Sequence, residues 1–141
     1  MTLNVTNLRA TLDSIRTHGP EKFDMRDWLS VHFSNPDDDC SYSLHSASTF
    51  DIAQCGAAAC LAGHGALAAV QMGAKIETPL NVAKWLGLGP EWREYFRYEE
   101  PWAWQGHYFE PLRRGVGHAE AEWSTAIWGL EGLIKEAEEQ R

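Results

Sequence analysis

From Cys55 to Met72 the chain consists almost entirely of small and apolar residues, and this run restricts the fold more than any other feature. Ala57, Ala58, Ala59, Ala62, Ala66, Ala68 and Ala69 favour a helix, and Gly73 is a natural stop. The spacing predicts a central Ala-rich helix over residues 56–72. His64 interrupts the run, and its Ala and Gly content suits a buried core helix better than a membrane span. A helix this smooth lets neighbours approach closely, and large side chains, several of the seven Trp, are expected to pack on it.

The flanking sequence supplies helices to surround it. Val5, Leu8, Leu12 and Ile15 recur at helical spacing, and His18-Gly19-Pro20 ends the pattern. Asp24 is a candidate N-cap for a short helix carrying Met25, Trp28 and Leu29. Residues 34–51, with Ser34-Asn35-Pro36 followed by three Asp and several Ser, read as a long loop. Thr78-Pro79 marks a helix start, a capping hydroxyl followed by proline. Gly87-Leu88-Gly89-Pro90 separates that helix from one carrying Trp92, Tyr95 and Phe96. Residues 98–117 are aromatic-rich and punctuated by Pro101, Gly106, Pro111, Gly115 and Gly117, which leaves room for a short β-hairpin. A last helix is expected from Ala119 to Glu138, with Trp123, Ile127, Leu130, Ile134 and Ala137 on one face. At 141 residues the whole chain, 1–141, is expected to form a single domain of mainly α class.

The net charge is −8, divided equally between residues 1–70 and 71–141, so the acidity is not a tail. Nucleic-acid phosphate would be repelled, and a basic protein partner attracted. Three cysteines without repeating spacing argue against a disulfide framework and for a reducing, cytoplasmic setting. Residues 1–16 carry Asn4, Arg9, Asp13 and Arg16 and do not read as a signal peptide. No membrane association is expected, and no motif requires a cofactor.

Four constellations could carry chemistry. A cysteine at a helix N-terminus has a lowered pKa, which makes Cys55 a candidate nucleophile with His107 or His118 as base and Asp51 or Glu110 to orient it. The alternative is an inert cysteine capping a buried helix. Cys55, Cys60 and His64, with Cys40 or His45 as a fourth ligand, could hold zinc, since Cys60 and His64 share a helix face. No tight Cys-x-x-Cys knuckle is present, and the alternative is a core cysteine pair beside a satisfied histidine. Val82 to Phe96 has a helix-turn-helix outline. Its second helix offers acids and bulky aromatics, however, and an ordinary helical hairpin fits it better. Finally, Trp102 and Trp104 lie in irregular sequence, where they serve either as binding anchors or as a cover over the Ala-rich helix.

Two segments resemble known families. Gln54 to Ala62 is similar to the nucleophile segment of papain-like peptidases that process bacteriocin leaders. The oxyanion glutamine of those enzymes stands several residues before the cysteine, whereas Gln54 adjoins Cys55. More extensively, Phe23-Asp24-Met25-Arg26-Asp27-Trp28, then Cys55-Gly56-Ala57-Ala58-Ala59-Cys60-Leu61-Ala62-Gly63, then Leu86-Gly87-Leu88 resemble a family of short bacteriophage and bacterial proteins with no settled activity. Its pattern is Phe-x-Met-x-x-Trp, Cys-Gly-Thr-x-x-Cys-Ile-Ala-Gly and a later Leu-Gly-Leu helix pair. Ala57 departs from it where the family carries Thr.

Together these features lead us to expect a non-catalytic protein-binding protein. The resemblance implies a phage-encoded modulator or inhibitor of a host or defence system. The expected contact residues are Asp37, Asp38 and Asp39 in the loop, and Trp102, Trp104, His107 and Tyr108 in the aromatic segment. The two rival functions are a cysteine hydrolase using Cys55, His107 and Asp51, and a structural zinc module using Cys40, Cys55, Cys60 and His64.

Overall fold

Asn4 opens α1 (Val5–His18), and its side-chain oxygen accepts the Asn7 N–H at 3.0 Å, satisfying one of the donors a helix start leaves free. Val5, Leu8, Leu12 and Ile15 form its buried face, as their spacing predicts. Gly19, at φ 78°, ends the helix, and a 3-10 turn follows at Pro20–Lys22. The computed structural model describes residues 2–23, 29–31, 40–41, 58–76, 78–96 and 102–140.

Three short strands form an antiparallel sheet, β1 (Leu29–Val31), β2 (Cys40–Ser41) and β3 (Ala58–Ala59), in the order β2-β1-β3. Ser30 pairs with Ser41 on one side and Ala58 on the other. This changes two expectations. Leu29 is in a strand rather than a helix with Met25 and Trp28, which lie outside the described residues. The central helix, α2 (Leu61–Gln71), starts after Cys60 and not at Gly56, because Ala58 and Ala59 give their backbone groups to the sheet. Helix propensity yields here to strand pairing with a segment distant in sequence. Of the loop expected at 34–51, only Cys40 and Ser41 are described.

The small residues of α2 do permit close approach. Nine of its residues are buried, from Leu61 to Ala69. Val82 and Thr11 stand over Gly65, where an added Cβ would come within 2.7 Å of the Val82 Cγ1. The partner there is an aliphatic and a hydroxyl side chain, not an indole.

Helix α3 (Pro79–Leu86) has the expected start. Thr78 and Asn81 exchange side-chain to backbone bonds at 3.3 and 3.1 Å as a reciprocal cap. Gly87 ends it in the left-handed region at φ 81°, and a Cβ there would collide with the Thr2 carbonyl oxygen, so the position needs glycine twice over. The chain start is tied to this corner: Asn4 N–H donates to Leu86 O at 2.9 Å, and Asn7 Nδ2 donates to Trp85 O at 2.8 Å.

Helices α4 (Trp92–Phe96), α5 (Gln105–Arg113) and α6 (His118–Glu139) complete the chain. The 98–117 segment contains α5 where a hairpin had room; residues 98–101 lie outside the described part. Trp104, Tyr108 and Leu112 recur every four residues, a helical period, and Pro111 lies inside α5 near its end, where it has no N–H to give to the helix ladder. Helix α1 packs against both α2 and α6, α3 packs against α2, and α5 against α6. Trp123 Nε1 on α6 donates to Ile15 O at 2.8 Å. Arg9–Glu138 and Arg16–Glu131 add exposed ion pairs between the same two helices, which contribute little each. The fold is thus mainly helical, and among the described residues no helix is long and apolar enough to cross a membrane.

Candidate functional site

The sequence candidates separate into three groups. Asp37, Asp38, Asp39, His45, Asp51 and Cys55 lie outside the described residues, so of the Cys55, His107 and Asp51 set only the histidine is placed. Cys40 stands opposite Val31 in β2. Cys60 is buried at the N-cap of α2. His64 is fully enclosed, stacked on Phe23 with ring centroids 5.7 Å apart. Among the described residues no three His, Cys, Asp or Glu side chains gather as a metal site would require.

Ser14 and His64 deserve a chemical test, because Ser14 Oγ lies 3.0 Å from His64 Nδ1, the reach of a nucleophile and its base. Ser14 is in the interior of α1, where backbone N–H groups are committed to helix bonds. No pair of amide donors is therefore free beside it to stabilise an oxyanion. The contact satisfies a buried imidazole, which would otherwise cost about 1–3 kcal/mol.

The aromatic residues gather instead at the end of the molecule built by α4, α5 and α6. Trp102, expected as a surface anchor, is 2% exposed: its indole N–H donates to Tyr95 O at 3.0 Å, and its ring packs edge-on against Tyr108 at 5.9 Å. Tyr108 is buried too, with its hydroxyl 2.7 Å from His118 Nδ1. These two residues are core: the helical phase of α5 turns Tyr108 inward, and Trp102, just before that helix, is held inside by its bond to Tyr95 O. Trp104 is half-buried and lies over Gly129 of α6, where a Cβ would overlap its ring.

Trp128, not singled out in sequence as a contact residue, is 52% exposed. His107 stacks on it nearly parallel, at 8° and 4.2 Å between centroids. Exposed Phe109 is on α5 with His107. Beside Trp128 runs an open groove of about 570 Å³, walled by Tyr95, Trp104 and Leu133, with Glu131, Lys135 and Glu136 among its polar lining. Gly132 also lines it, and nothing lies within 4 Å of where its Cβ would stand. The Tyr95 phenol keeps its proton to higher pH than a free tyrosine, first because it is partly buried, then because Glu136, Glu94 and Glu91 oppose the phenolate.

No family model, no curated protein and no solved structure matches this chain. The site is therefore read from its own chemistry. Trp128 and Gly132 carry a signal that sequence holds: in a helix whose core face contains Ala126, Leu130, Leu133 and Ala137, residues 128 and 132 fall to another side. A large aromatic and a glycine thus stand one turn apart, away from the core stripe.

Proposed function

We propose that this chain is a protein-binding protein whose partner docks in the groove beside Trp128. The observation that carries the reading is Trp128 itself, half-exposed and stacked nearly parallel on His107 at the edge of an aromatic groove. A large amphipathic ring fixed in place loses little entropy on binding, which is why Trp and Tyr dominate interface energetics. The net charge of −8 supports a protein partner over nucleic acid. The motif resemblance at Phe23–Trp28 and Cys55–Gly63 adds a setting to the proposal: a phage-encoded modulator or inhibitor of a host or defence system.

The test uses the full chain as bait in a host lysate, with Trp128→Ala in parallel, followed by hydrogen-exchange mapping of the purified complex. An anchor of this kind weakens binding by about 30-fold or more when removed, the equivalent of roughly 2 kcal/mol. Protection at Tyr95, Trp104 and residues 128–136 is expected. A complex that forms equally well with Trp128→Ala, or that protects a different face, overturns the reading.

A further inference from the structure

The groove has a composition that selects among protein partners, and this step rests on the docking reading above. Its walls present the rings of Tyr95, Trp104 and Trp128. Glu136 lines it, and Glu94 on α4 and Glu91 just before that helix act on the Tyr95 phenol. Among the described residues Lys135 is the one cation in that lining, while Glu131 is occupied by Arg16 at 2.6 Å. Aromatic faces beside an excess of carboxylate attract a cation in two ways, through the ring quadrupole and through charge pairing.

Gly132 adds an independent constraint. A glycine inside a helix lowers its stability relative to alanine. At Gly129 the loss has a reason, because Trp104 fills the space; at Gly132 no atom of the described residues lies within 4 Å of a Cβ. An uncovered glycine in the groove lining lets an incoming side chain or backbone reach the helix surface.

From these we infer that the groove receives a basic segment of a protein partner, seating an arginine or lysine side chain against the Tyr95, Trp104 and Trp128 rings with its charge toward Glu136, Glu94 and Glu91. A second copy of the chain fits less well, since two such faces together would bring like charges into contact.

The experiment is a titration of the full chain, isotope-labelled at Trp indole and Gly amide nitrogens, with three short peptides of equal length. One alternates alanine with arginine, one replaces arginine by its neutral isostere citrulline, and one replaces it by glutamate. The arginine peptide is expected to shift the Trp104 and Trp128 indole signals and the Gly132 amide saturably. It should bind at least about tenfold tighter than the citrulline peptide, with the difference shrinking as salt is raised. Glu94→Gln with Glu136→Gln should reduce that preference severalfold, and Gly132→Ala should weaken binding while leaving the protein folded.

Equal binding by the citrulline peptide overturns the cation while leaving a docking groove. Shifts confined to another face, or none up to the solubility of the arginine peptide, overturn it as well. Self-association abolished by Gly132→Ala replaces the basic segment with a second copy, and so also overturns it. The docking reading is judged apart from all of these, by the Trp128→Ala and mapping result with the natural partner.

Discussion

Gly129→Ala and Gly132→Ala should change stability in opposite directions, though the two sites are three residues apart on α6. Alanine in a helix interior is better than glycine by about 0.5–1 kcal/mol. At Gly132 nothing lies within 4 Å of the added carbon, so that gain is realised in full. At Gly129 the carbon would overlap the Trp104 ring, and Trp104 is itself held against Tyr95 and Trp102, at 5.6 and 5.8 Å between ring centroids. Forcing an extra methyl into such a place costs about 1–3 kcal/mol, which exceeds the helix gain. The helix gain is common to both, so the two variants should differ by the steric cost, about 1–3 kcal/mol. In a chain of this size that separates their thermal midpoints by about 3–10 °C. Urea and thermal unfolding followed by circular dichroism, with indole fluorescence as a second probe, measure it directly. If Gly129→Ala proves as stable as Gly132→Ala, Trp104 does not lie over Gly129, and the aromatic wall of the groove is misplaced.

The tryptophans divide in the same way: Trp102→Ala should cost about 3–5 kcal/mol in urea unfolding, as for a buried aromatic, whereas the half-exposed Trp128→Ala should stay within about 0.5–1 kcal/mol of wild type. Thr125 is fully buried on α6 and its hydroxyl has no hydrogen-bond partner among the described residues, so Thr125→Val should be neutral or stabilising by about 1 kcal/mol, and a clear loss of stability would show that the hydroxyl is satisfied. The raised Tyr95 pKa means that the folded protein retains a proton which the unfolded chain loses near about pH 10; the associated stability is complete below that pH and declines as pH rises through the folded-state value. Tyr95→Phe should remove that part of the alkaline decline, as read by unfolding across this range and by the ultraviolet absorbance of phenolate.

Much of the helical frame was legible because its signals are local. Val5, Leu8, Leu12 and Ile15 carry the period of α1, Thr78-Pro79 the start of α3, Gly87 its stop, and Leu130, Ile134 and Ala137 the face of α6. The start of α2 was not legible: Ala58 and Ala59 are helix formers whose strand state depends on pairing with Leu29 and Ser30, a distant segment. The candidate site was the least legible part. Irregular sequence around Trp102 pointed to exposure, yet Trp102 is buried with its indole bonded to Tyr95 O, and α5 turns Tyr108 inward. Trp128 sits in the most regular helix of the chain and projects out. Composition counts indoles but does not say which way they point, and only the helical phase of each element does so.

That phase also explains why α6 bears a groove rather than only core. Its apolar stripe, through Ala126, Leu130, Leu133 and Ala137, closes on the rest of the bundle. Its edge toward α1 holds Glu131 and Glu138 in ion pairs with Arg16 and Arg9, so those acids have a role within the fold. The side holding Trp128, Gly132 and Glu136 is met only in part, since Trp104 reaches Gly129 and stops. Along that side stand the half-exposed indole of Trp128, Gly132 with no atom of the described residues over its Cβ position, and Glu136, which acts on the Tyr95 phenol together with Glu94 and Glu91. Each of these lowers or leaves unimproved the stability of the isolated chain. The docking proposal accounts for Trp128, Gly132 and Glu136 sharing one side of α6, where helix stability alone favours alanine over glycine at 132.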